Sequence, residues 1–173
     1  MTADWKQSNA YRKGEIGEGL VDQYLLKRGI VPYRPIADAA HPFDRLCASS
    51  DKKSLYVVEI KSKPKREFYP DTGFNYSNFL DYMNIAMKYG MDVFVYFVDE
   101  RMKKIYGGEL LSNLAVEREV SWNGKSIMYP LHQGRQIYFP ISCMEEIANL
   151  GDAECEVLHS LRRSNYDRQQ SLL

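Results

Sequence analysis

The chain has 173 residues, 45% hydrophobic and 27% charged, and its 23 basic and 23 acidic side chains give a formal net charge of zero. That composition fits one globular domain over residues 1–173 with a real core, and it excludes a protein that binds nucleic acid through bulk charge. Cys47, Cys143 and Cys155 are far apart and form no CxxC pair, which speaks against a zinc site or a disulfide framework and for a reducing cytoplasm.

The opening "MTADWKQSNAYRKGE" has no apolar signal core, so no leader is expected. No run approaches the roughly 18 apolar residues of a membrane span. The first predicted element is a helix over residues 9–28. Ile16, Leu20, Val21, Tyr24 and Leu25 form its apolar stripe, Ser8 or Asn9 can cap it, and Gly29 stops it. Glu18 lies in line with part of that stripe, where an acid is unusual. Gly17 and Gly19 flank it. A glycine inside a helix costs about 0.5–1 kcal/mol relative to alanine, which points to a close approach there. Glu15 is the competing acid, but it faces Asp22 and the polar side.

"IVPYRPI" reads as extended because of its prolines. "PFDRLCA" and "LYVVEIKS" read as strands around the polar turn "SSDKKS". A long polar and aromatic loop follows and closes at Gly73 to Asn75. "YSNFLDYMNIAMKYG" reads as a helix with Phe79, Met83, Ala86, Tyr82 and Tyr89 inward and Gly90 as its stop. "MDVFVYFVDE" is a strand covered on both faces. Asn123-Gly124 signals a β-hairpin, and "RQIYFPIS" a strand that Pro140 ends or places at an edge. Residues 144–163 read as one or two helices broken near Gly151-Asp152, and the last ten residues as loose. Trp5 and Trp122 read as packing or surface anchors, and His41, His132 and His159 as isolated.

The chemistry concentrates in the two strands around "SSDKKS". Alternation puts Val57, Glu59 and Lys61 on one face of their strand, with Val58 and Ile60 on the other. A symmetric turn centred between Asp51 and Lys52 places Asp44 opposite Glu59. Directly opposed residues share a face with Cβ atoms about 4.5–5.5 Å apart. Two carboxylates that close repel unless a cation lies between them, and hard Mg²⁺ prefers oxygen ligands. Lys61 lies one strand step beyond Glu59, roughly 6.6–6.8 Å away on the same face. It can reach a water or phosphate oxygen there. The plainer alternatives are a surface Glu59–Lys61 pair, Asp44 as a turn cap, and Glu18 paired with Lys13 or Lys61.

Pro42-Phe43-Asp44 followed by Glu59-Ile60-Lys61, with Glu18 in "GEIGE" of the preceding helix, resembles the PD-(D/E)xK nuclease superfamily. The superfamily has Pro immediately before Asp; here Phe43 intervenes. The resemblance covers about Lys13 to Asp99. It implies an α/β, restriction endonuclease-like αβββαβ core over about residues 9–99, with a mixed central sheet flanked by helices. An accessory region of β-hairpin, strand and helices then occupies about residues 100–173. It also implies catalytic roles for Asp44, Glu59, Lys61 and Glu18. Asp44, Glu59 and the Ile60 carbonyl would bind Mg²⁺, for which Mn²⁺ can substitute. Glu18 would serve a second metal or a water on it, and Lys61 would position the attacking water. The reaction implied is hydrolysis of DNA phosphodiesters leaving a 5′-phosphate.

"KSKPKREFY" follows the motif, so Lys63, Lys65 and Arg66 are candidate phosphate contacts. Tyr69 and Tyr76, in company with Phe68 and Phe74, are candidate stacking partners for unpaired bases. Lys13 is a second basic candidate. DNA, branched and single-stranded forms included, is the expected partner, and cutting both strands of a duplex is compatible with a homodimer. The competing readings are a catalytically silent binding module and an RNA nuclease.

Overall fold

The computed structural model describes residues 8–36 and 41–161. The expectations for Trp5, for the end of the last helix and for the loose C-terminal residues lie outside them.

Helix α1 spans Asn9–Lys27. Ser8 caps it by accepting from the Tyr11 amide at 3.2 Å, and Gly29, at φ 75°, turns the chain out of it. Strands β1 (Val31–Tyr33), β2 (Arg45–Ala48) and β3 (Leu55–Lys61) follow, then β4 (Asp71–Asn75) and helix α2 (Tyr76–Tyr89). Gly90 adopts the left-handed conformation that stops α2. Strands β5 (Val93–Asp99) and β6 (Lys104–Glu109) lead to a wide helical turn, Leu110–Leu114. After it come β7 (Arg118–Trp122), β8 (Lys125–Tyr129), β9 (Leu131–Gln133) and β10 (Gln136–Pro140). The described chain ends with β11 (Glu145–Asn149) and helix α3 (Asp152–Ser160).

The central sheet has the order β1-β2-β3-β5-β6-β11. β3 and β5 run parallel, and the other neighbouring pairs are antiparallel. Alternation divides the core into two. On the α2 side Val57, Val93, Val95 and Phe97 pack with Phe79, Tyr82 and Ile85. On the α1 side Val58, Ile60, Tyr96 and Val98 pack with Val21 and Leu25. This is the expected mixed sheet flanked by helices, and β5 is covered on both faces as its composition predicts.

Part of the accessory region completes the α2-side core. β10 pairs with β4 and β9, and its Ile137 and Phe139 are buried beside Phe74 and Phe79. β4 itself lies where the sequence suggests a loop, because Gly73 disguises it. A methyl on Gly73 would meet the Ile137 carbonyl oxygen at 1.9 Å and Tyr138 Cα at 2.9 Å. Backbone cannot rotate aside, so Gly73→Ala is expected to destabilise the fold by about 3 kcal/mol, the upper end for overpacking. A lowered urea midpoint would register it.

Two further expectations are corrected. Glu145–Asn149 is not helical; it forms β11 on the edge of β6. β6 had an open edge, and pairing it outweighs the weak helical preference of "EEIAN". Only Asp152–Ser160 is helical, and the break falls at Gly151, whose amide donates to Glu154 at 2.7 Å. Tyr89 is 63% exposed rather than inward. The Asn123-Gly124 hairpin is present as β7–β8, with both residues at positive φ.

Candidate active site

The turn after β2 is closed from within. The Ser49 amide donates to the Ser54 carbonyl at 2.9 Å, and Asp51 accepts from Ser49 Oγ and the Lys53 amide. The turn is symmetric, so Arg45 pairs with Val58 and Leu46 with Val57. Asp44 lies one residue beyond the ladder, close enough to Glu59 for the Glu59 charge to act on it. Its amide reaches the Val58 carbonyl at 3.2 Å. Its Oδ2 accepts from the Ile60 amide at 2.7 Å.

Glu59 is buried. Lys61 Nζ forms an ion pair with it, and the Tyr82 hydroxyl of α2 hydrogen-bonds to it. Asn78 Nδ2 in turn approaches that hydroxyl at 3.4 Å. The Lys61 ammonium also lies 5.7 Å from the Phe74 ring centre and 5.9 Å from that of Tyr82. Asp44, Glu59 and Lys61 thus come together, with Tyr82 as a fourth member on the α2 side.

Burial and the neighbouring charge of Glu59 push the Asp44 carboxyl up to about 6. The Ile60 amide, Lys61 and Arg45 pull the other way and do not overcome them. Burial and then the Glu59 charge raise the Tyr82 phenol well above its usual range, so it stays a donor. The Asp44 shift has a thermodynamic sign. The folded state holds the proton more tightly than the unfolded chain, so in metal-free protein stability falls as pH rises from about 4 to about 6. Asp44→Asn should therefore stabilise metal-free protein at pH 7, and the gain should vanish below about pH 4. Thermal melts across that range would check it.

Glu18 reaches the same place from the other face. Its Oε2 accepts from Arg45 at 3.0 Å and pairs with Arg34 at 3.4 Å. Burial first, then the Asp44 charge, raise its pKa against the pull of both arginines. Its partners are Arg45 and Arg34 rather than Lys13 or Lys61. Arg45 organises this side and was not anticipated. It is 2% exposed, grips Asp22 at 2.8 and 2.9 Å, and donates to the Asp44 carbonyl at 2.7 Å. The signal was present: Asp22 lies four residues after Glu18 on one helix face, and alternation sends Arg45 opposite to Asp44. Gly17 is the close approach expected of the glycines. A methyl there would meet Ser62 Oγ at 1.8 Å, so α1 rests on the end of β3; beside Gly19 there is open space.

The basic and aromatic candidates divide. Lys63 Nζ donates to Gln136 of β10 at 3.0 Å, and its pKa is lowered by burial, then by Lys61 and Arg66. The Lys65 amide donates to Asp99, and its ammonium lies near the Arg66 carbonyl at 3.4 Å. Arg66 is held internally. It makes two 2.6 Å bonds to buried Asp71 and lies between the Tyr69 and Tyr138 rings. Tyr69 is partly exposed, and Tyr76 stacks on His132. Lys13 lies inside, 2.7 Å from Glu100, away from any surface where a phosphate would meet it. His132 is therefore stacked rather than isolated.

Among the described residues, no group of three or more His, Cys, Asp or Glu forms a ready-made metal cage. Mg²⁺ does not require one. It commonly keeps several waters and takes one or two carboxylates together with substrate phosphates. Two neighbouring acids, buried Glu59 and half-buried Asp44, the second with its pKa raised by burial and by the Glu59 charge, fit that donor set, with Glu18 held back by Arg45.

No helix among the described residues is long and apolar enough to cross a membrane. No protein-family model matches the chain, and no curated protein matches it. Among solved structures, it is similar to Hjc, a Holliday junction resolvase from the archaeal hyperthermophile Archaeoglobus fulgidus. The TM-score is 0.50 at 12% identity, over 75% of this chain and 90% of that one. Identity that low speaks to architecture alone. With the mixed central sheet, the flanking helices and the order of elements, it establishes that this chain has a restriction endonuclease-like fold.

Proposed function

We propose that the protein is a metal-dependent endonuclease that hydrolyses phosphodiester bonds in DNA. The observation that carries this reading is the meeting of Asp44, Glu59 and Lys61 at one point of a restriction endonuclease-like fold. A strand face that needed only to pack would not set half-buried Asp44 against buried Glu59, since their repulsion costs stability.

In this reading Asp44, Glu59 and the Ile60 carbonyl would hold Mg²⁺, or Mn²⁺ in its place, with Glu18 in support. When bound, such an ion makes a nucleophile available at neutral pH and offsets phosphate charge. The chain's own groups do the rest. Lys61 orients the attacking water and meets the charge that develops on the phosphate. Tyr82 fixes Glu59 by donating to it, and the Ile60 amide fixes Asp44. Arg45 holds Glu18 and the Asp44 backbone in place. Lys63 and Lys65 bring positive charge to the mouth of the site.

The similar structure belongs to a Holliday junction resolvase, so branched DNA is the first substrate to try. The test compares branched, single-stranded, linear and supercoiled DNA, and RNA, in Mg²⁺, Mn²⁺ or EDTA. Cutting that needs the cation is expected on at least one DNA. Binding without cutting on every substrate would favour a silent module, and cutting confined to RNA would move the activity to ribonuclease.

A further inference from the structure

The loop between Lys61 and β4 ends in an oddity. Phe68 is 76% exposed, although a phenylalanine in water gains nothing from being there. It does not sit on a loose tip. Arg66, two residues before it, is clamped to buried Asp71 and packed between Tyr69 and Tyr138. The Tyr129 hydroxyl at the foot of the β7–β8 hairpin donates to the same Asp71 at 2.6 Å. At the hairpin's other end, the Trp122 indole N–H donates to the Phe68 carbonyl at 3.3 Å. The hairpin is thus moored to the loop at both ends. A two-stranded hairpin is marginal by itself, so these ties also explain how it keeps its place.

We infer that Phe68, with Tyr69 beside it, is a preorganised platform on which an unpaired nucleobase stacks, and that the β7–β8 hairpin is its brace. The inference rests on the nuclease reading and specifies its substrate: nucleic acid with unpaired bases next to a duplex. Charge supports that occupant. Lys63 and Lys65 lie in the same short segment and direct their ammonium groups to neutral oxygens, whereas Lys61 is paired with Glu59 and the exposed Glu67 lies 3.9 Å from Arg101. The segment therefore attracts a polyanion while presenting an aromatic face. Stacking is available to any base once it is unpaired, and unavailable to a base inside a closed duplex.

The experiment measures binding in EDTA, where no cutting is expected. The probes are a fluorescein-labelled duplex with unpaired arms, a blunt duplex of the same sequence and a single strand. Phe68→Ala is expected to weaken binding to the armed duplex and the single strand by about 5- to 150-fold, the range for losing one base stack. Blunt-duplex binding should hardly change. Phe68→Trp should restore the loss, and Trp122→Phe should give a smaller loss in the same direction. Equal effects of Phe68→Ala on all three probes, no effect on any, or no binding by wild type would overturn the inference. Unchanged binding by Trp122→Phe would remove the brace from it. The two readings fail separately. A protein that never cuts yet binds unpaired arms through Phe68 ends the nuclease reading and keeps this one. A protein that cuts, and whose Phe68→Ala variant binds and cuts armed DNA like wild type, does the reverse.

Discussion

Glu59→Ala is expected to reduce cation-dependent DNA cleavage by about 10³-fold or more while leaving the chain folded. A cation at such a site contributes several kcal/mol of charge stabilisation, and each 1.36 kcal/mol is about tenfold in rate. Glu59 is the buried member of the acid pair and the partner of both Lys61 and Tyr82, so its loss removes the charge and the alignment together. The fold should tolerate the change, because the repulsion with Asp44 disappears and Lys61 is exposed enough to regain water. Glu59→Gln sharpens the test by keeping shape and hydrogen bonds but not charge, and it should be as inactive as the alanine variant. Lys61→Ala should lose about 10²–10⁴-fold, the usual share of a group that handles a proton in the reaction. Single-turnover rates, with circular dichroism to confirm folding, provide the measurement. Wild-type rates in Glu59→Ala and Lys61→Ala would end the proposal.

Arg45→Met should be the most destabilising single change in the site region, by about 3 kcal/mol. Removing one partner of a buried ion pair costs about 3–5 kcal/mol; the lower end applies because Asp22 and Glu18 retain some solvent. Asp22 would lose its cation, Glu18 would keep only Arg34, and the Asp44 carbonyl would lose its donor. For a chain of this size the melting temperature should fall by roughly 6–12 °C. Arg45→Lys should not rescue it, because one ammonium cannot reproduce the planar fork that grips Asp22 twice. Asp22→Asn added to Arg45→Met should restore part of the loss by removing one stranded charge. Urea denaturation of the four proteins would decide it, and a loss under about 1 kcal/mol would show that the hub is dispensable.

The core elements were legible where one rule acted alone. The 3.6-residue stripe and the capping serine of α1, the alternation in β3 and the Asn-Gly turn all lie where local pattern puts them. So does the β2–β3 register, because the "SSDKKS" turn closes symmetrically. What stayed hidden depends on partners distant in sequence. β4 contains a glycine that reads as loop, yet Gly73 fits the β10 backbone pressed against it. β11 is a strand only because β6 offered an edge. Arg66 reads as a free cation until Asp71 and two tyrosines are seen to enclose it. Lys13 reads as a surface base until Glu100 is seen beside it. Arg45 was hidden by its neighbour, since Asp44 drew the chemical interest and the residue after it passed as ordinary strand.

Asp44 and Arg45 occupy successive positions with opposite charge and opposite directions, and this guards the strand pairing. If β2 slipped by one residue against β3, every side chain would change faces. A guanidinium would then enter the space beside Glu59, and a carboxylate would be pressed against Glu18 and Asp22 of α1. The α1 face would then gather three acids where Arg45 now stands. The α1 face therefore disfavours the slipped pairing, and the native alignment leaves Asp44 beside Glu59.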